Sequence, residues 1–261
     1  MFHIDLTHIP AIAIALILFI AILFMKWLGY AYSKWLIKKY PGEEPASSGS
    51  LEGSLLGLTA LLLAFTFGMA SSKFDSRRQV VIEEANNIGT AVLRCNLYPD
   101  SVRSALLSDF RKYVSARVAY FDADIDEDKI RSSLHDAQNI SANIWDRVAS
   151  LSNDNDYRVR SELMIPALNS MIDIVTTRES ARIATVPQII FWVLFILVLV
   201  SAFLAGYGTK SNRKNDIMTI CFAVMTTITI YLVLELDRPR SGIINIKAAE
   251  KNIEEININL K

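Results

Sequence analysis

A chain of 261 residues whose 27 basic and 27 acidic side chains cancel, and whose Lys and Arg are not interleaved with aromatics, offers nothing to draw it to nucleic acid. Its 52% hydrophobic content hides two populations, long uncharged blocks and a polar middle, and this predicts a membrane protein with one extramembranous domain rather than a water-soluble globule. The two cysteines, Cys95 and Cys221, fall in a polar helix and an apolar block, so a disulfide between them would need distant regions to meet.

No Lys or Arg precedes the first apolar block and no small-residue cleavage site follows it, so it reads as a retained span, about residues 12–32. Thr7 or Asp5 can cap it and Pro10 suits its first turn. Lys26, Trp27, Tyr30, Tyr32, Lys34 and Trp35 at its far end are the residues expected at headgroup level. Two prolines, two glycines and serines between residues 38 and 50 then turn the chain back.

The second span, about 54–71, is followed by no proline until Pro99, which predicts one helix that leaves the bilayer and continues to about Asn96. Gly53, Gly57, Ala60, Ala64, Gly68 and Ser71 form a small-residue stripe that would let another helix approach. Beyond the bilayer the expected seam is Phe74, Val81, Ala85, Ile88, Val92 and Cys95, with Asn86, Asn87 and Gly89 as a local weak point.

Residues 73–186 read as an all-helical domain. Its second helix carries Val102, Leu106, Phe110, Tyr113, Val114, Arg117 and Phe121 at helical spacing, and its third carries Ile130, Leu134, Ala137, Ile144, Val148 and Leu151. Between them Asp122, Asp124 and Asp126 alternate like a calcium loop, but Glu127 and Ser133 stand where such a loop needs Gly and Glu, so an acidic turn is expected. A further helix runs from about Tyr157 to Thr185 with Pro166 inside it. Spans three and four follow, about 188–206 and 217–236, and residues 237–261 read as a polar, modestly amphipathic tail. The fold class is therefore all-α: a transmembrane hairpin (1–72), an inserted helical domain (73–186) and a second hairpin (187–236).

No catalytic constellation is visible. His3, His8 and His135 supply neither a metal set nor a base beside a nucleophile, and no phosphate loop, G-x-S-x-G or Cys-x-x-Cys occurs, so the chain reads as no enzyme, with no metal and no cofactor. Arg77 and Arg78 follow the second span, while Glu235, Asp237, Arg238 and Arg240 close the fourth, one cluster at one membrane edge. These charges either fix helix depth by pairing or form a selectivity ring. Thr59 and Thr66, seven apart on one face, and Phe65 and Phe67 beside them are pore candidates; the alternative is that both hydroxyls bond back to carbonyls one turn earlier and the rings face lipid.

The run from Leu55 to Arg94, LLGLTALLLAFTFGMASSKFDSRRQVVIEEANNIGTAVLR, together with YLVLELDRPRSGII from Tyr231 to Ile244, resembles a bacterial membrane protein family with a bestrophin-like domain. Bestrophins are pentameric anion channels, so the resemblance implies a multi-pass protein of the bacterial inner membrane. It also implies a homo-oligomer in the lipid bilayer, an anion on a central path, and a cytoplasmic helical domain. The count of Lys and Arg in short loops leans the other way, towards a periplasmic domain, and both placements stay open. A second functional class, a non-conducting membrane sensor or scaffold whose helical domain binds a protein partner, also fits the pattern.

Overall fold

The computed structural model describes residues 9–40, 49–208, 213–238 and 243–259, and among them every regular element is a helix. In chain order these are α1 (Ala11–Lys39), α2 (Gly49–Arg94), α3 (Asp100–Asp122), α4 (Glu127–Leu151), α5 (Arg158–Ile183), α6 (Gln188–Tyr207), α7 (Arg213–Asp237) and α8 (Lys247–Asn259). Four stretches are long and apolar enough to cross a membrane, within Ala11–Lys39, Ser50–Leu97, Arg158–Tyr207 and Ile217–Asp237. The all-α class with four candidate spans is thus the observed one.

The chain divides into two compact units: residues Met1–Ser72 with Thr185–Arg238, and Lys73–Ala184 with Pro239–Lys261. In the first, apolar unit, α1 packs on α6 and α7 through Ile14, Leu18, Ile22, Leu194, Val198, Ala202, Ile230 and Val233, and α2 adds Leu62, Leu63, Met69 and Ala70. Lipid tails are as apolar as leucine, so such helices gain from close packing rather than from leaving water. Two glycines set that closeness. A Cβ on Gly29 would sit 2.0 Å from the Phe203 carbonyl oxygen, and one on Gly206 would sit 2.0 Å from that of Lys26. Tyr32 packs its ring beside Phe203 and Tyr207, extending the same contact.

The second, polar unit has its own core. Ala85, Ile88, Ala91 and Cys95 of α2 and the turn after it meet Leu106, Phe110, Tyr113 and Val114 of α3, Ala137, Ile144 and Val148 of α4, and Met164, Leu168 and Met171 of α5. The expected seam of α2 is therefore buried at Val81, Ala85, Ile88 and Cys95. The helix runs unbroken through Asn86, Asn87 and Gly89, and tightens into a 3-10 turn at Cys95–Leu97 before Pro99. Asn87 is put to use, donating from Nδ2 to the Ser170 carbonyl of α5 at 3.3 Å. Residues 247–259, expected as a polar tail, form a helix with Ile253 fully buried in this core, because Ile246, Ala249, Ile253 and Ile256 recur at helical spacing.

One expectation fails in detail. The small-residue stripe of the span does not become the buried seam: Gly53, Gly57 and Gly68 have nothing within 4 Å of an added Cβ, whereas Val81 and Ile88 are buried. From Gly68 to Val81 is thirteen residues, about 3.6 turns, which carries the chain to the far side of the helix. The face that continues into the seam is Thr59, Thr66, Ala70 and Arg77, all buried.

Replacing Gly29 or Gly206 by leucine is expected to force α1 and α6 apart and to cost about 1–3 kcal/mol or more, read as a lower melting temperature in detergent. Gly57→Ala, in open space, is expected to leave the fold of the protomer unchanged.

Candidate functional site

The pore candidates divide by helix face. Thr59 and Thr66 point into the apolar unit; Thr66 has no exposed surface, and their hydroxyls donate to the carbonyls of Leu55 (2.8 Å) and Leu62 (2.7 Å), with Ser201 Oγ 3.5 Å from Thr59. Such back-bonding satisfies a hydroxyl where no water reaches. Phe65 and Phe67 lie on the other side, 63% and 41% exposed. Between the two rings runs the small-residue stripe, also outward.

The charged residues at the span ends divide as well. Arg77 is buried and donates from Nε and Nη2 to the carbonyls of Ala181 (3.0 Å) and Ala184 (2.6 Å), covering the orphan carbonyls at the C-terminal end of α5 where a cation is favoured. Arg78 is exposed. In the apolar unit Glu235 and Asp237 are both buried, and Asp237 accepts the Val186 backbone N–H at 2.8 Å, ahead of α6. Arg238 donates to the Ile9 carbonyl at 2.6 Å, which ties the end of α7 to the residue before α1. Arg240 lies outside the described residues, as do His3 and His8.

The strongest electrostatic feature was not anticipated as a site. Glu84 of α2, fully buried, accepts from Arg117 Nε of α3 at 2.5 Å and from Arg178 Nη1 of α5 at 2.6 Å. Glu250 of α8 reaches Arg178 Nη2 at 3.4 Å. Aromatic rings complete the enclosure: Arg178 stacks on Phe121 at 4.0 Å and Arg117 on Tyr120 at 4.6 Å. Burial alone would push the Glu84 carboxyl up, but the two guanidiniums outweigh it and hold it below the usual carboxylate range. The signal existed in the sequence: Arg117 sits among the apolar positions of its helix, and Glu84 falls between Val81 and Ile88 on the seam face.

Asp126 caps α4, its side chain accepting from the Lys129 N–H at 3.1 Å, and among the described residues no group of three His, Cys, Asp or Glu could hold a metal. Cys95 and Cys221 are both free thiols, and burial pushes that of Cys95 up to about 12.

A family model for the bestrophin-like domain matches residues 12–250, and the chain belongs to that Bestrophin-like family. Among solved structures, a bacterial bestrophin homologue from Klebsiella pneumoniae superposes with a TM-score of 0.73 at 14% identity, covering 94% of this chain and 97% of that one. A single-substitution variant of the Klebsiella protein gives 0.72 at 15%, covering 97% and 98%. At such identity the likeness is one of fold. No curated protein matches the chain.

Removing Glu84 leaves two buried cations facing each other, so Glu84→Ala is expected to destabilise the polar unit by about 3–5 kcal/mol. Its lowered carboxyl makes the contribution of Glu84 fully present above the unfolded value, roughly 4.3, and lost as pH falls below it. Acid unfolding followed by circular dichroism is expected to begin in that range and to be flatter with pH in Glu84→Gln.

Proposed function

We propose that this chain assembles with copies of itself as an ion channel of the bacterial inner membrane, with the outward face of α2 turned to the path and anions favoured. The observation that carries this reading is the open stripe on α2. Helix α1 presents bulky Ile12, Leu16, Ile17, Ile20 and Phe24 outward, as a lipid-facing helix does, whereas on α2 the outward Leu58, Leu61, Phe65 and Phe67 are interrupted by Gly53, Gly57, Ala60, Ala64 and Gly68, whose glycines meet no neighbour among the described residues. A smooth face of this kind suits close approach of a second helix and is wasted on lipid. Membership of the Bestrophin-like family and the fold shared with the Klebsiella homologue support an oligomer around an axis, a pentamer by resemblance.

On this reading the four pore candidates have different tasks. Phe65 and Phe67, about 200° apart around α2, flank the stripe, so as copies close up one ring faces the axis and narrows it to a gate that shuts by dewetting. Thr59 and Thr66 fix the other face of α2 to its own bundle. The anion preference rests on Arg78, which lies about five turns beyond Ala60 on the same helix line, since Arg77 is spent on α5. Glu235, Asp237 and Arg238 close the fourth span and set its depth. The chemistry needs no cofactor and no catalysis.

Purified, oligomeric protein in liposomes is expected to pass chloride faster than potassium, with Ala64→Trp blocking flux while the protomer still folds. A folded oligomer that passes neither ion would favour the second reading, a scaffold whose helical unit binds a protein partner.

A further inference from the structure

Arg117 has three guanidinium nitrogens and uses one. Nε serves Glu84, while Nη1 and Nη2 are buried and, among the described residues, have no hydrogen-bond partner. The ring of Tyr120 covers one face of the guanidinium, but stacking leaves the in-plane N–H groups unmet. The great majority of buried polar atoms in folded proteins are hydrogen-bonded, and the two N–H bonds on the open edge between Nη1 and Nη2 converge on one acceptor position, so these unmet donors call for a partner.

Charge indicates which partner. At this centre two guanidiniums, Arg117 at 0% and Arg178 at 4% exposure, share one fully buried carboxylate, Glu84. The second carboxylate, Glu250, is less deeply buried and meets Arg178 at 3.4 Å. Burial and the positive charge of Arg117 hold Arg178 below its usual value, whereas Glu84 holds Arg117 above its own despite burial. Arg117 shares its one carboxylate, Glu84, with Arg178, so a monoanion at Nη1 and Nη2 would meet both the open donors and the charge that Glu84 divides between two guanidiniums.

We propose that Nη1 and Nη2 of Arg117 form a buried binding site for a small inorganic monoanion of halide size, within the helical unit and apart from any membrane path. Tyr113, one turn before Arg117 on the same face of α3, lines a cavity of about 320 Å³ together with Gln138, Ser141, Thr176 and Glu179. Arg117 itself does not line that cavity, so Tyr113 is the side chain that stands between it and the proposed site. Glu179 on that lining is paired with Arg182 (2.7 Å) and accepts from the Tyr120 hydroxyl (2.9 Å).

The test uses the purified full chain. Crystals grown with bromide in place of chloride and measured at the bromine edge are expected to show an anomalous peak in hydrogen-bond range of both Nη atoms; density there without bromine signal overturns the proposal. In solution, thermal unfolding of the native chain is expected to rise with chloride or bromide and saturate, compared with gluconate at equal ionic strength. Arg117→Lys, which keeps one charge and loses the fork, is expected to abolish that rise; should this variant fail to fold, equal melting of the native chain in halide and gluconate still overturns the site. Neither readout depends on whether the protein conducts.

Discussion

One carboxylate holds the polar unit together. Glu84 draws α2, α3 and α5 to a single point, and Arg178 extends the link to Glu250 on α8, so four of the five helices of that unit share one ion network. Taking these charges out of water is costly, and a well-packed apolar core can do as well in stability. What the network adds is register: a leucine accepts many neighbours, but a buried carboxylate with two guanidiniums at 2.5 and 2.6 Å accepts one arrangement. The apolar positions around it, Val114, Tyr113, Ile88 and Met171, then have fixed places to fill.

In the apolar unit the corresponding constraint is steric. With no hydrophobic gain between helices in lipid, contact depends on how near the backbones come, and Gly29 against Phe203 with Gly206 against Lys26 brings α1 and α6 too close for any side chain at those positions. Hydroxyls follow the same economy of satisfaction, since Thr59 and Thr66 close on their own helix rather than waiting for a partner. The termini of that unit are held by polar side chains on backbone groups, Asp237 on Val186 and Arg238 on Ile9.

Much of this was legible before the structure. The absence of proline between Leu55 and Pro99 predicts the long helix, and the apolar periodicity of residues 102–121 and 130–151 predicts α3 and α4. What stayed hidden depends on residues far apart in the chain. Gly29 and Gly206 are 177 positions apart and belong to no local pattern, so nothing marks them as partners. Glu84, Arg117 and Arg178 each read as a charge on a helix, although two of them stand on apolar faces, where an ionised group must have a partner. The modest amphipathy of the tail is visible in the sequence, but its charges dominate the composition and hide that Ile246, Ala249, Ile253 and Ile256 bury its inner face in the core.

The two stripes of α2 show how a continuous helix can serve two purposes. Its buried line, Thr59, Thr66, Ala70, Arg77, Val81, Glu84, Ile88, Ala91 and Cys95, advances by threes, fours and sevens and so stays on one side throughout, while its chemistry changes from hydroxyl and methyl to charge and then to core. The small residues from Gly53 to Ser71 hold the opposite side and stop where the apolar stretch stops. A stripe needed for packing within the protomer would have lain on the buried line. The stripe lies instead on the open side, where an added Cβ on Gly53, Gly57 or Gly68 meets no neighbour among the described residues.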